Sequence, residues 1–220
     1  LTAVACGDTP RGAGTGDAPA ALSPEVAAVP RWAQEAVWYQ IFVERFRNGD
    51  PGNDPTVEDI QGSWPHMRPA GWAPTPWGWD WYRPEPWAVA TGEPFYTTVQ
   101  LRRYGGDLQG VLDRLDYLQE LGVTALFLNP INDAPSLHKY DARNYRHIDR
   151  NFGPDPEGDA ALMAREDPVD PSTWVVTAAD SLFFALVDEV HRRGMRIIID
   201  VSWNHTGVTF WAVSYTHLTL

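Results

Sequence analysis

The sequence predicts an α/β fold built on a parallel sheet, and three observations carry that expectation. Short, mostly apolar runs occupy 36–43, 123–128 and 195–201, the pattern of strands buried on both faces. Two stretches of helical periodicity separate them, one after Asp107 and one after Thr177. The resulting order, strand–helix–strand–helix–strand, calls for parallel pairing with right-handed crossovers. A doubly wound sheet and a barrel both satisfy it. No Gly-rich phosphate loop follows the first strand, which speaks against a nucleotide-binding fold. Long polar loops after the strand ends lean toward a barrel, whose active sites form there.

Taken in order, Gly7 to Pro30 is rich in Gly, Ala, Pro, Thr and Asp and reads as a flexible linker. Folded sequence begins near Ala33 with the strand Ala36–Val43. A polar stretch rich in Pro and Trp follows, with an insert at about 55–103. Asp107 is placed to cap a helix whose apolar face is Leu108, Val111, Leu112, Leu115, Leu118 and Leu121. Gly122 stands where such a helix ends, and Val123–Leu128 is the second strand. After a long loop, Thr177 with Asp180 three residues on forms a capping-box pattern. Leu182, Phe183, Leu186, Val187 and Val190 give that helix its inner face, Gly194 closes it, and Met195–Val201 is the third strand.

Composition narrows the function classes. The net charge of −12 and the lack of a basic stripe argue against nucleic acid or an anionic membrane as partner. A single cysteine, Cys6, rules out an intrachain disulfide. Leu1-Thr2-Ala3-Val4-Ala5-Cys6-Gly7 resembles the end of a bacterial lipoprotein signal, in which small residues precede a cysteine that is lipidated. The expectation is an exported protein, lipid-anchored to the cell envelope or extracellular, with 1–32 as lipoprotein-like N-terminus and linker. Eleven tryptophans are unusual; Trp anchors cores and also stacks on the faces of neutral sugars, and composition does not separate the two.

Five segments then point to one family. They are 37–50 (Val-Trp-Tyr-Gln-Ile-Phe-Val-Glu-Arg-Phe-Arg-Asn-Gly-Asp), Tyr104–Gly110, Leu121–Pro130, His138–Asp141 and Asp200–His205. In this order, over about Glu35 to Ala212, they resemble glycoside hydrolase family 13, the α-amylase family. The resemblance implies the first three strands of a (β/α)8 TIM barrel, occupying 33–212 and truncated before the second half of a fold of roughly 250 residues. It implies a retaining α-glycosidase acting on α-glucans or maltooligosaccharides. A transglycosylase or disaccharide-specific member of the family, or a non-catalytic glucan-binding surface lipoprotein, fits the same segments. The family's nucleophile and acid/base follow strands four and five, so no catalytic residue is expected here and the chain alone is expected to be inactive. Unlike Thr209–Ala212, Val213–Leu220 does not resemble the family, and it is expected to be a non-native tail.

The resemblance also assigns roles. Tyr140 becomes the aromatic platform beneath the sugar ring that is cleaved, with His138 and His205 hydrogen-bonding its hydroxyls, while Asp200 organises the site. The 48–54 loop offers Asn48, Asp50, Asn53 and Asp54, oxygen donors of the kind Ca²⁺ requires. Alone, such a cluster is an ordinary turn. In relatives with this pattern a structural Ca²⁺ ties the loop to the Gly105 carbonyl and Asp107. Asn204 resembles a ligand of a second Ca²⁺.

Overall fold

The computed structural model describes residues 29–213. Cys6, the linker up to residue 28 and residues 214–220 of the expected tail lie outside the described residues. The chain divides into two units after Glu35, three residues beyond the expected boundary. Helix α1 (Arg31–Glu35) belongs to the first unit, and its Arg31 Nε donates to Glu35 Oε1 at 2.7 Å.

The second unit begins with strand β1 (Trp38–Ile41) and a helical turn, α2 (Val43–Phe46). The insert contributes α3 (Pro86–Thr91) and α4 (Phe95–Thr98). The first crossover is α5 (Leu108–Leu112) and α6 (Leu115–Glu120), leading to β2 (Ala125–Leu128). Strands β3 (Asn132–Asp133) and β4 (Asn144–Ile148) form an antiparallel hairpin, followed by α7 (Pro156–Met163). The second crossover is α8 (Ala178–Arg192), and β5 (Arg196–Ile199) completes the sheet.

The expected parallel topology is present. β2 lies between β1 and β5, with Ile41, Leu128 and Ile199 in register. Leu108, Val111, Leu115 and Leu118 from the first crossover join Leu186 and Val190 from the second in one core with Leu126 and Leu128. Both caps form as the sequence predicts. Asp107 accepts from Gly110 N at 2.6 Å, and Thr177 and Asp180 bond each other's backbone reciprocally. Gly122 has φ +85°, the left-handed conformation that ends a helix.

Several expectations are corrected. The first crossover is two helices rather than one, because Arg114 N turns to Val111 O and the ladder tightens there to an i→i−3 step. Leu121 is 55% exposed and leaves the apolar face. Burial on both faces holds only for β2; Trp38 of β1 and Ile198 and Ile199 of β5 are about 40% exposed, since these strands are the edges of this sheet. The strands are four residues long, shorter than the apolar runs that announce them. The long loop before Thr177 holds the β3–β4 hairpin and α7, whose Asp155-Pro156 start is an N-cap followed by proline at the first helical position. No helix among the described residues is long and apolar enough to cross a membrane.

Candidate functional site

The parallel register brings polar residues together just past the strand ends. Asn129 N donates to Ile41 O and Asp200 N to Leu128 O, both at 2.9 Å, so Asn129 and Asp200 emerge side by side at the carboxyl edge of the sheet. The Tyr140 hydroxyl donates to Asp200 Oδ2 at 2.5 Å. That bond, then burial and the Asp200 charge, push the phenol up against the opposing hydrogen bond from Asn129. Gln40 Nε2, on β1, donates to Asn129 Oδ1 at 2.9 Å. Asp200 thus accepts from Tyr140, and Asn129 and Gln40 join a network that sequence reasoning missed.

The loop bearing Tyr140 is locked from below. Lys139 has φ +60°, a conformation disfavoured for a residue with a side chain. Its buried ammonium holds that geometry by donating to Asp149 Oδ2 at 2.6 Å and Ala134 O at 3.0 Å. The turn places the His138 ring 5.7 Å from the Tyr140 ring, and Tyr140 N donates to His138 Nδ1 at 3.1 Å. Burial, aided by the nearby charges of Arg103, Lys139 and His205, holds His138 below the ordinary imidazole range against Asp141. The ring is thus neutral at neutral pH. Because Nδ1 accepts from a backbone N–H, its proton sits on Nε2, a donor for a ligand hydroxyl. His138 and Asp141 line a cavity of about 340 Å³ with Trp64, His66 and Gly207.

His205 lies within electrostatic reach of His138 but is exposed, and its Nδ1 sits 3.0 Å from Asn204 Oδ1. Its backbone is tied to the hairpin, with the Tyr145 hydroxyl 2.6 Å from His205 O and 2.8 Å from Ser202 O. Asn204 is likewise exposed and turned toward His205.

The second cluster lies where the 48–54 loop meets the start of α5. Asp107, fully buried, accepts from Gly49 N (3.1 Å), Asp50 N (2.8 Å) and Asn53 Nδ2 (3.3 Å) while capping α5. Asn48 Nδ2 donates to Asp54 Oδ1 at 2.6 Å. Both asparagines thus spend their amide nitrogens on carboxylates, leaving Asn48 Oδ1 and Asn53 Oδ1 buried without partners. Such orphaned acceptors are costly. Burial pushes the Asp54 carboxyl up against the Asn48 hydrogen bond, and the charges of Asp107, Asp50 and Glu44 add to the rise. Gly105 has φ +73°, and a Cβ there would fall 2.0 Å from Asp54 Oδ1, so only glycine lets the chain approach. Asp50 differs: its side chain caps its own turn, accepting from Gly52 N at 2.9 Å. Among the described residues no three His, Cys, Asp or Glu side chains converge on one point. The donors here would instead be amide and carbonyl oxygens joined to carboxylate, a hard-oxygen set suited to Ca²⁺.

Comparison with known proteins supplies an independent line. Residues 40–165, more than half of the chain, match the alpha amylase catalytic domain. Neopullulanase 2 of Thermoactinomyces vulgaris is 40% identical over 188 residues, covering 86% of this chain and 23% of that protein. The intracellular maltogenic amylase of Bacillus subtilis (strain 168) is 36% identical over 178 residues, covering 81% of this chain and 21% of its own length. The solved cyclic α-maltosyl-(1→6)-maltose hydrolase of Arthrobacter globiformis, in complex with maltose, superposes with a TM-score of 0.56 at 32% identity. That alignment covers 85% of this chain and 30% of the hydrolase. The chain thus spans less than a quarter of the length of these curated relatives.

Proposed function

The chain belongs to the α-amylase catalytic-domain family, and from this we propose that the whole protein is a retaining α-glycosidase that hydrolyses α-glucosidic bonds in starch-type oligo- and polysaccharides. The observation that carries the reading is the Tyr140–Asp200–His138 cluster at the carboxyl edge of the sheet. An aromatic face held by its own hydroxyl is a platform for the apolar face of a sugar ring. The neutral His138 ring, protonated at Nε2, donates to a hydroxyl at the ring's edge, and His205 lies near enough to serve a neighbouring hydroxyl.

Retaining hydrolysis proceeds by carboxylate attack on the anomeric carbon while a carboxylic acid protonates the departing oxygen. Water then releases the glycosyl-enzyme, the two groups standing about 5–5.5 Å apart. The family resemblance assigns both groups to strands four and five. This chain's residues therefore bind and orient the ring, with Asp200 acting through Tyr140. Replacing Tyr140 by Ala in the full-length protein is expected to lower kcat/KM on maltooligosaccharides by about 100-fold, the scale of a misplaced substrate. Absence of turnover on any α-glucan by the parent, or parental rates in the variant, would overturn the reading.

A structural Ca²⁺ fits the second cluster, held by the Asn48 and Asn53 amide oxygens, Asp54 and the Gly105 carbonyl, with Asp107 and Asp50 adjoining. When bound it would supply charge neutralisation that pins the 48–54 loop to α5. Chelation should then lower the melting temperature and added Ca²⁺ restore it, the ion contributing about 2.7 kcal/mol of stability at a hundredfold excess over Kd; a melt indifferent to both removes calcium from the account. The lipid anchor at Cys6 rests on the small residues that precede it, and metabolic labelling with a fatty acid, lost on Cys6→Ser, tests it.

A further inference from the structure

The insert's tryptophans fall into two groups. Trp72 and Trp87 are buried against each other and Leu101. Trp77, Trp79 and Trp81 instead line a second cavity, of about 610 Å³, with Phe42 and Tyr104. Trp77 stays 64% exposed and Trp81 48% exposed, while Trp79 is half-buried. Their backbone and rings are both held by neighbours. The guanidinium of Arg102, itself fully buried, donates to Trp81 O at 2.8 Å and Arg83 O at 2.9 Å. Trp79 Nε1 donates to Arg83 O at 2.7 Å, and Trp77 meets the Tyr104 ring edge-on at 5.5 Å. The Arg45 guanidinium stands 4.7 Å from the Tyr104 ring centre and 5.1 Å from that of Trp81.

We infer that this cavity is an additional sugar-binding subsite, which holds a ring of an α-glucan chain beyond the ring seated on Tyr140 and so favours longer substrates. The inference rests on the α-glucan reading above. Its occupant is set by continuity and chemistry. Phe42 directly follows β1, so the cavity opens on the edge of the sheet that carries Asn129 and Asp200. Gln100 and Leu137 line both this cavity and the one bounded by His138, so one wall separates the two. A pyranose presents apolar C–H faces that suit indole rings, with hydroxyls at its rim. The polar groups on hand match that rim. Arg45, whose Nε donates to Glu44 at 2.7 Å, and Gln100 both line the cavity and present N–H donors to it.

The test compares maltotriose with maltohexaose as substrates of the full-length protein. Trp77→Ala and Trp79→Ala should each lower the ratio of kcat/KM for the hexaose over the triose by about 2- to 10-fold. That is the range an aromatic contact of ~0.5–1.5 kcal/mol gives at 1.4 kcal/mol per tenfold. Trp77→Phe, which keeps a ring, should recover most of the ratio. Melting temperatures taken alongside identify a variant that fails to fold, and the exposed Trp77 pair then decides the matter. Equal losses on both substrates, or none on either, would overturn the subsite while leaving the glycosidase reading intact. A parent protein that binds and cleaves neither sugar would overturn both.

Discussion

Around the sheet, Leu108, Val111, Leu115, Leu118, Leu186 and Val190 close an aliphatic core whose members recur at helical spacing. In the insert, Ile60, Trp72, Trp87, Ala88 and Leu101 close a second core without any period. Few residues do the work there, and charge takes part. Arg102 and Glu85 form an ion pair that is almost wholly buried, Thr75 Oγ1 donates to Glu85 at 2.7 Å, and Trp72 Nε1 donates to Leu101 O at 2.9 Å. The neighbouring Arg103 is buried too, and its guanidinium caps the backbone oxygens of Gln100, Arg102 and Pro135. Burial lowers its pKa to about 10, so it still carries its charge at neutral pH. The aliphatic core is made by many interchangeable contacts, whereas the insert depends on a few that are not. Its loss per residue should accordingly be larger and more local.

That contrast breaks most directly at Arg102. Arg102→Met leaves Glu85 buried without its partner and should cost about 3–5 kcal/mol. The double change with Glu85→Gln should recover part of it. Urea unfolding followed by tryptophan fluorescence reads the effect, since the insert carries most of the indoles. A loss below ~1 kcal/mol would show the pair to be dispensable. In the sheet core, Leu126→Ala should cost about 2–5 kcal/mol, according to how far the site collapses. If the Leu126 variant unfolds the insert before the sheet, the two cores are not distinct in the way proposed.

The sheet region also has one polar clasp, which sharpens the comparison. His147 on β4 is buried, with Nδ1 2.7 Å from Asp180 at the start of α8 and Nε2 3.0 Å from Glu166 after α7. Burial disfavours the charged ring, but the hydrogen bonds and charges of Asp180 and Glu166 outweigh it and hold His147 above the ordinary imidazole range. Both carboxyls are held below their usual range, since bonds from His147 and from backbone N–H groups, with Arg146 on Glu166, outweigh their own burial. A raised imidazole stabilises fully below its unfolded value, about 6.5, and loses that contribution as pH rises through its folded value. The depressed carboxyls stabilise above their unfolded values, about 4, and lose it as pH falls through their folded ones. The clasp is therefore strongest between about pH 4.5 and 6.5. His147→Gln should cost about 1.5–3 kcal/mol there, the scale of a charged hydrogen bond, and less at pH 9. A difference in melting temperature that stays constant from pH 5 to pH 9 would exclude a charged clasp.

The sequence by itself determined the parallel βαβαβ order, both helix caps, the Gly122 stop and, through five matching segments, the family. Each rests on interactions within a few residues: a cap bonds the next turn, and periodicity reports one buried face. The family resemblance singled out Tyr140, His138 and Asp200, and the fold brings these three together. Tertiary structure alone decided the rest. It chose which tryptophans would be buried and which would line a cavity: in equally aperiodic sequence, Trp72 packs on Trp87 and donates to Leu101 O, while Trp81 stacks on Tyr104. It placed Asn129 and Gln40 beside Tyr140, because sheet register, not spacing, joins positions 89 residues apart. It also buried Arg102 and His147 by bringing carboxylates and backbone oxygens to them from segments 17 or more residues away, whereas Arg103 finds two of its three backbone oxygens within three residues and the third at Pro135. A charge enters a core only where the fold has assembled its partners, and for Arg102 and His147 no short window of sequence contains them.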